Sequence, residues 1–402
     1  MNNRTVLLTG GTGIMGSWVL GETLARGYDA IVLMRDPDHK SAAERIKAVL
    51  HHVERPWDFP RVHIVLGDAS EPNLGLSQRT ADAIREHAAA VIHCAACTSF
   101  NPDQDAECWA TNVGGVVNLL EFLDGVGIPF YHVSTAYVAG KRRGRVLETE
   151  LDVDQEFSNT YERSKCASEK MVRRAFAEGR LSGSIFRPSI IIGAMQDGRI
   201  SQFMNFYNIL HLIDMIASRR SNGGETVRMV TTPHGTKNII PVDWTARALW
   251  TIIEREGPSG HVYHLTNPHP VTHGMIQEWA NALLKRVNIR VNLVEAIEGR
   301  MSPLESILSA RLRNYEAYLL EEPHFDRTNT DRALNGAVPF PVLDGRQFDK
   351  LMEFARTRKW RGLFVGRAGG RTNGKSRLRL FPARPPADPE DGRAVCDAQA
   401  SL

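Results

Sequence analysis

Short apolar runs alternate with amphipathic stretches through the first 190 residues. The runs TVLLTG, DAIVLMR, VHIVLGD, AVIHCAA, FYHVST and SIFRPSII begin at residues 5, 29, 62, 90, 130 and 184. They are dense in Val, Ile and Leu, as strands covered on both faces are. Between them, apolar residues recur at helical spacing over Ile14–Arg26, Ser41–Val53, Thr80–His87, Ala106–Asp124 and Thr160–Ala177. This βαβα rhythm predicts an α/β fold, a doubly wound parallel sheet over residues 1–190. A smaller, mostly helical substrate lobe over 191–366 is expected to return strands to the main sheet. Within it, RISQFMNFYNILHLIDMIASRR reads as a helix whose apolar side packs or lines an apolar pocket. NIIPVDWTARALWTIIE reads as a strand end and a helix, HVYHLTNP as a strand, and the remainder to about Trp360 as mainly helical. Residues 367–402 hold seven Arg/Lys, four Asp/Glu, four Pro and four Gly; with so little to bury, they read as a disordered basic tail.

Composition narrows the class. A chain of 402 residues, 42% hydrophobic, can bury a sizeable core, and a net charge of +3 is too small to suggest a nucleic-acid partner. No stretch approaches the roughly 18 apolar residues of a membrane span. The N-terminus runs straight into the first strand, so no signal peptide and a cytoplasmic location are expected. Cys94, Cys97, Cys108, Cys166 and Cys396 form no disulfide-like framework. The pair Cys94/Cys97 lacks a second pair at zinc spacing, so no metal is expected.

The first chemical signal is TGGTGIMG at residues 9–16. Gly10, Gly13 and Gly16, with Thr12, Ile14 and Met15, join a strand to a helix. Glycine permits a tight turn and close backbone approach, and a helix N-terminus offers free N–H groups to a pyrophosphate. That is the phosphate cradle of a Rossmann-type dinucleotide site. An acid at the end of the second strand would favour NAD; here Arg35 stands there, with Arg45 one short helix later. Guanidinium groups suit a 2′-phosphate, so NADPH is expected over NADH, with Asp36 as a competing ribose ligand. Asp68, followed by Ala69, ends the third strand where a carboxylate can accept from the adenine amine. The small Cys94, Ala95 and Ala96 let a dinucleotide lie against the sheet.

A second constellation lies downstream. Tyr161 and Lys165 are four apart on one helix face, where an ammonium is expected to lower the phenol's pKa toward a useful range. Ser134 and Thr135 end the preceding strand, where a hydroxyl can bond a substrate oxygen, and Asn112 stands on the helix before it.

The ordered set TGGTGIMG, GDAS, HCAA, TNVGG, STAYVAG, YERSK and FRPS resembles an extended short-chain dehydrogenase/reductase. VLMRD…AAERI, VIHCAACTSFN, NIIPVDWTARAL and YHLTNPHPVT are similar to its fatty acyl-CoA reductase and thioester-reductase group, the male-sterility-type NAD-binding family. The resemblance spans about residues 4–275. It implies Tyr161 as proton donor, Lys165 at the nicotinamide ribose, and Thr135 (or Ser134) at the carbonyl oxygen. It further implies Asn112 as support for the helix and a relay water, and Pro188 and Ser189 near the nicotinamide. The implied activity is NADPH-dependent reduction of an acyl thioester, on coenzyme A or an acyl carrier protein, to aldehyde and on to alcohol. The chain contains no carrier-protein or adenylation region, which implies a free-standing reductase. A carbonyl reductase, a nucleotide-sugar epimerase or dehydratase, and an NADP-sensing regulator remain the alternatives.

Overall fold

A computed structural model describes residues 4–218, 224–313, 318 and 321–364. The expected tail over 367–402 lies outside the described residues.

Seven parallel strands form the central sheet: β1 (Thr5–Thr9), β2 (Asp29–Met34), β3 (Val62–Leu66), β4 (Ala88–His93), β5 (Phe130–Val133), β6 (Gly183–Pro188) and β7 (Val262–Leu265). Their spatial order is β7-β6-β5-β4-β1-β2-β3, all parallel, so the chain winds out from β1 in both directions. The order reverses between β1 and β4, where ligands bind in open α/β sheets.

Side-chain alternation explains the two helix layers. Val6 and Leu8 of β1 join one apolar cluster with Ala30, Val32 and Met34 of β2, whereas Leu7, Ile31 and Leu33 join the cluster on the opposite face. Helix α1 (Ile14–Ala25) and α2 (His39–His52) cover the first face. Helix α3 (Gln78–His87), a long helical run α4 and helix α5 (Thr160–Ala177) cover the second. Run α4 comprises Asp105–Trp109, a π turn at Ala110–Gly114, and Gly115–Leu123.

The chain then crosses back. SIFRPSII divides at Ser189: β6 stays in the sheet, and Ile190–Ile192 pairs instead with Ile239–Pro241. Helix α6 (Phe206–Ala217) is shorter than its apolar sequence suggested, since residues 199–205 are not helical. Helix α7 (Val242–Glu256) returns to α1, with the Trp250 indole donating to the Val19 carbonyl at 3.4 Å. A third apolar cluster gathers α6, the 273–284 helix and the 345–357 helix. The region to Trp360 is less helical than expected, because Glu225–Val230 and Ile289–Val294 form a parallel strand pair. IRVNLV buries Ile289 and Val291 while exposing Arg290 and Asn292, a two-residue period too short to stand out among helices. Among the described residues no helix is long and apolar enough to cross a membrane.

Candidate active site

The glycine loop closes on itself. Gly10 has φ of +71°, and a Cβ there would stand 2.5 Å from the Ala95 nitrogen. A Cβ on Gly16 would stand 2.1 Å from the Gly10 carbonyl oxygen. Both positions therefore exclude any side chain. Gly13 is the N-cap of α1 and brings no capping side chain, so the helix N-terminus stays open to an anion. These features fit a dinucleotide pyrophosphate.

Around that loop, Arg45 donates to Asp36 Oδ2 at 2.7 Å, to Thr12 Oγ1 at 3.1 Å and to the Arg35 carbonyl at 3.2 Å. Arg35 itself is exposed and stands 3.9 Å from Asp68 Oδ2. The other Asp68 oxygen accepts from the Ser70 backbone at 2.9 Å and from its hydroxyl at 2.6 Å. Ala69 offers its carbonyl to Asn118 at 2.9 Å. The second oxygen of Asp36 is buried and has no hydrogen-bond partner among the described residues.

One cavity of about 260 Å³ extends from this loop across the sheet. Gly13, Ile14, Met15 and Gly16 line it, as do Cys94 and Ala96 at the end of β4. So do Ser134, Thr135, Tyr161, Lys165, Pro188 and Ser189. Residues from five separate stretches of sequence thus meet at one place. Gly10, Thr12, Arg35, Arg45, Asp68, Ala69, Ala95 and Asn112 are not among the residues that line it.

The two neighbouring hydroxyls differ. Ser134 Oγ donates at 2.7 Å to Glu169, which is wholly buried against Arg187 at 2.7 Å. Burial opposes the Glu169 charge, but Arg187, with Arg173 and Ser134, outweighs it and holds the carboxyl down at about 2. The Thr135 hydroxyl pulls the Tyr161 phenol's pKa downward, against burial. It also accepts from the Tyr137 backbone and sits 3.4 Å from the Pro188 carbonyl.

The expected lowering of the Tyr161 pKa by Lys165 is not what the geometry produces. Burial pushes the phenol up to about 12, with the Thr135 hydroxyl pulling the other way. The Lys165 ammonium instead donates to the Val133 carbonyl at 2.8 Å. Burial brings Lys165 down to about 8, against the pull of Glu169.

Asn112 lies in the π turn of α4 with its side-chain amide fully engaged. Its Oδ1 accepts from the Cys97 nitrogen at 2.8 Å, while Nδ2 donates to the Cys97 carbonyl at 3.0 Å and to Ser164 Oγ at 2.9 Å. It clamps the loop after β4 to the helix carrying Tyr161, and π turns recur at such functional positions. Ser189 Oγ is likewise held, donating to Asn238 at 2.7 Å.

Sequence reasoning missed the far wall. Phe100 stacks on Tyr318 with ring centroids 5.2 Å apart and leans on Tyr161 at 6.1 Å. Tyr137 and Lys237 also line the cavity. Tyr137 stands only two residues beyond Thr135, which was the available signal; Lys237 comes from a distant strand and gave none. From the apolar stretch, Met204, Asn205, Phe206 and Ile209 reach the cavity, while Leu210, Leu212, Ile213 and Ile216 pack inside.

Residues 8–249 match the protein family described as male sterility protein, an NAD-binding domain. The chain belongs to this family. It is of the extended short-chain dehydrogenase/reductase type and carries a nicotinamide-cofactor fold. It is 23% identical over 382 residues to the non-canonical nonribosomal peptide synthetase FrzA of a Cladobotryum species, covering 87% of this chain and 36% of that protein. It is 24% identical to a carboxylic acid reductase of Segniliparus rugosus, covering 66% of this chain and 24% of that one. The chain therefore spans about a third or less of these relatives. In fold it is similar to the terminal R domain of the myxalamid PKS-NRPS pathway, with a TM-score of 0.75, 24% identity, and coverage of 89% and 92%.

Proposed function

We propose that the protein is an NADPH-dependent reductase that converts an acyl thioester, held by a carrier protein or by coenzyme A, to the aldehyde. One observation carries this reading: a single cavity is walled by the glycine loop and by Thr135, Tyr161 and Lys165. The named relatives, a nonribosomal peptide synthetase and a carboxylic acid reductase, support the thioester as electrophile.

Gly10, Gly13 and Gly16 would hold the pyrophosphate, Arg35 and Arg45 the 2′-phosphate, and Asp68 with Ala69 the adenine. Cys94, Ala95, Ala96, Pro188 and Ser189 would flank the nicotinamide end. When bound, the cofactor supplies the hydride. Thr135 and Tyr161 hold the carbonyl oxygen as negative charge gathers on it, where fixed donors are worth most. Tyr161 gives its proton to that oxygen, and the positive Lys165 steadies the phenolate left behind. The tetrahedral adduct then returns that proton to Tyr161 and expels the thiolate, which takes a proton from solvent, leaving the aldehyde. A second turn of the same site takes the aldehyde to the alcohol.

The unpartnered buried oxygen of Asp36 favours a second reading for the cofactor, since it suits a ribose hydroxyl and hence NADH. The test follows loss of reduced-nicotinamide absorbance with NADPH and with NADH, on acyl-CoA thioesters, carrier-loaded thioesters and aldehydes. Tyr161→Phe is run beside the unchanged protein. Thioester-dependent oxidation that releases free thiol and collapses in Tyr161→Phe is the expected result. Turnover of aldehydes or ketones alone would move the protein to the carbonyl reductases, and preference for NADH would overturn the cofactor assignment.

A further inference from the structure

One member of a buried ion pair that the reduction does not use lines the same cavity as the glycine loop. Lys237 lines the cavity, and its Nζ donates to Glu322 Oε1 at 2.7 Å. The two side chains are only 4% and 5% exposed. Glu322 Oε1 also accepts from the Tyr137 phenol at 2.9 Å, and Oε2 accepts from the Asn238 backbone at 2.7 Å. Three donors thus converge on one carboxylate, which leaves it well satisfied. An ammonium has three N–H donors and no acceptor, and among the described residues this one bonds to Glu322. Phe100, Met204, Phe206 and Ile209 give the same cavity part of its apolar lining.

Burying such a pair costs desolvation that a hydrophobic replacement would avoid, so the pair is not there for stability. It presents donors to the cavity while cancelling its own net charge. A ligand group matched to it accepts hydrogen bonds and is neutral. An anion would be repelled by Glu322, and a bare alkyl chain would leave the ammonium desolvated and unanswered.

Resting on the thioester-reductase reading, we propose that Lys237, set by Glu322 and Tyr137, is a specificity-determining residue that selects acyl groups bearing a neutral acceptor oxygen, an oxo or hydroxyl group, over plain alkyl chains of equal length. Tyr137 and Glu322 are positioning residues: Glu322 aims the ammonium, and Tyr137 holds Glu322.

The test uses the full chain and S-alkyl-coenzyme A thioethers, which the site cannot reduce, so binding is read without turnover. Thioethers of one chain length, plain or with an oxo group at successive positions, are titrated by calorimetry. They are compared on the unchanged protein and on the double variant Lys237→Met/Glu322→Gln, which leaves no charge unpaired. The expected result is at least about tenfold tighter binding of one oxo isomer by the unchanged protein, a preference absent in the double variant. The ratio of kcat/KM for the matching thioesters should move in the same sense. A purely structural role would weaken both ligands alike and keep the ratio. No preference in the unchanged protein, no binding of either ligand, a preference that survives in the double variant, or an equal loss for both would each overturn the proposal. Failure to reduce any thioester would instead sink the reductase reading, while the binding preference would still be measured.

Discussion

The Lys165 ammonium donates to the Val133 carbonyl oxygen at 2.8 Å. Val133 ends strand β5 and directly precedes Ser134 and Thr135, while Lys165 lies one helical turn beyond Tyr161. This bond fastens the helix that carries the phenol to the strand end that carries the threonine. Their relative position is therefore a tertiary property built on a backbone acceptor, reinforced by Asn112 tying Cys97 to Ser164.

The same lysine sets a pH limit. Burial brings its pKa down to about 8, so the ammonium is present below that value and lost as pH rises through it. We predict that kcat/KM falls above about pH 8, approaching tenfold per unit. Lys165→Arg, which cannot deprotonate in this range, should remove that limb at a lower overall rate. A pH profile that stays flat to pH 10 would contradict this role for Lys165.

Ser134 and Thr135 should separate by readout. Thr135→Ala removes a donor at the carbonyl oxygen and is expected to lower kcat by about a hundredfold, with only a modest fall in melting temperature from the Tyr137 backbone bond it also gives up. Ser134→Ala strips a hydrogen bond from the buried Glu169, which should cost about 1–3 kcal/mol of stability and lower the melting temperature by several degrees. Kinetics and thermal melts on the two variants decide it; the reverse pattern would exchange their roles.

Cofactor binding should depend on the loop's backbone. In Gly16→Ala the new methyl meets the Gly10 carbonyl, which is backbone and cannot swing aside. The dissociation constant for NADPH, read from reduced-nicotinamide fluorescence, is expected to rise at least about tenfold. Arg45→Ala should weaken NADPH by about tenfold and leave NADH little affected. Equal losses for the two cofactors would show that Arg45 serves the fold through Asp36 rather than the phosphate.

Acid should unfold the sheet through its imidazoles. Burial lowers His93 and His264 from 6.5 to about 3 and takes His132 well below its ordinary value. The unfolded chain binds protons at these residues near pH 6.5 while the folded chain does not. Stability is therefore full above that pH and lost as pH falls toward 3, by up to about 1.4 kcal/mol per unit for each imidazole. Glu169, depressed to about 2, adds a further loss below about pH 4.5. Melting temperatures between pH 7 and 4 should fall steeply, and His132→Phe should flatten that slope; a slope unaltered in this variant would show that other groups govern it.

Local pattern alone carried much of this protein. The six N-terminal strands and five helices lie within a few residues of where apolar periodicity put them, because a parallel sheet between two helix layers needs continuous apolar runs and one-sided helices. The glycine loop was equally legible: only glycine fits where Gly10 backs onto Ala95 and Gly16 onto Gly10. Tyr161 and Lys165 shared a helix face by spacing alone. Tertiary structure decided what contact distance decides. It turned Ser134 toward Glu169 and left Thr135 on the Pro188 carbonyl and the Tyr137 backbone, although the two adjoin in sequence. It sent Lys165 to the Val133 carbonyl and let burial raise the phenol rather than lower it. It also brought Lys237 and Glu322, 85 residues apart, onto Tyr137. Periodicity reports which face of an element is dry; it carries no record of which distant charge will meet that face, since that depends on how the chain after residue 190 folds back over the sheet.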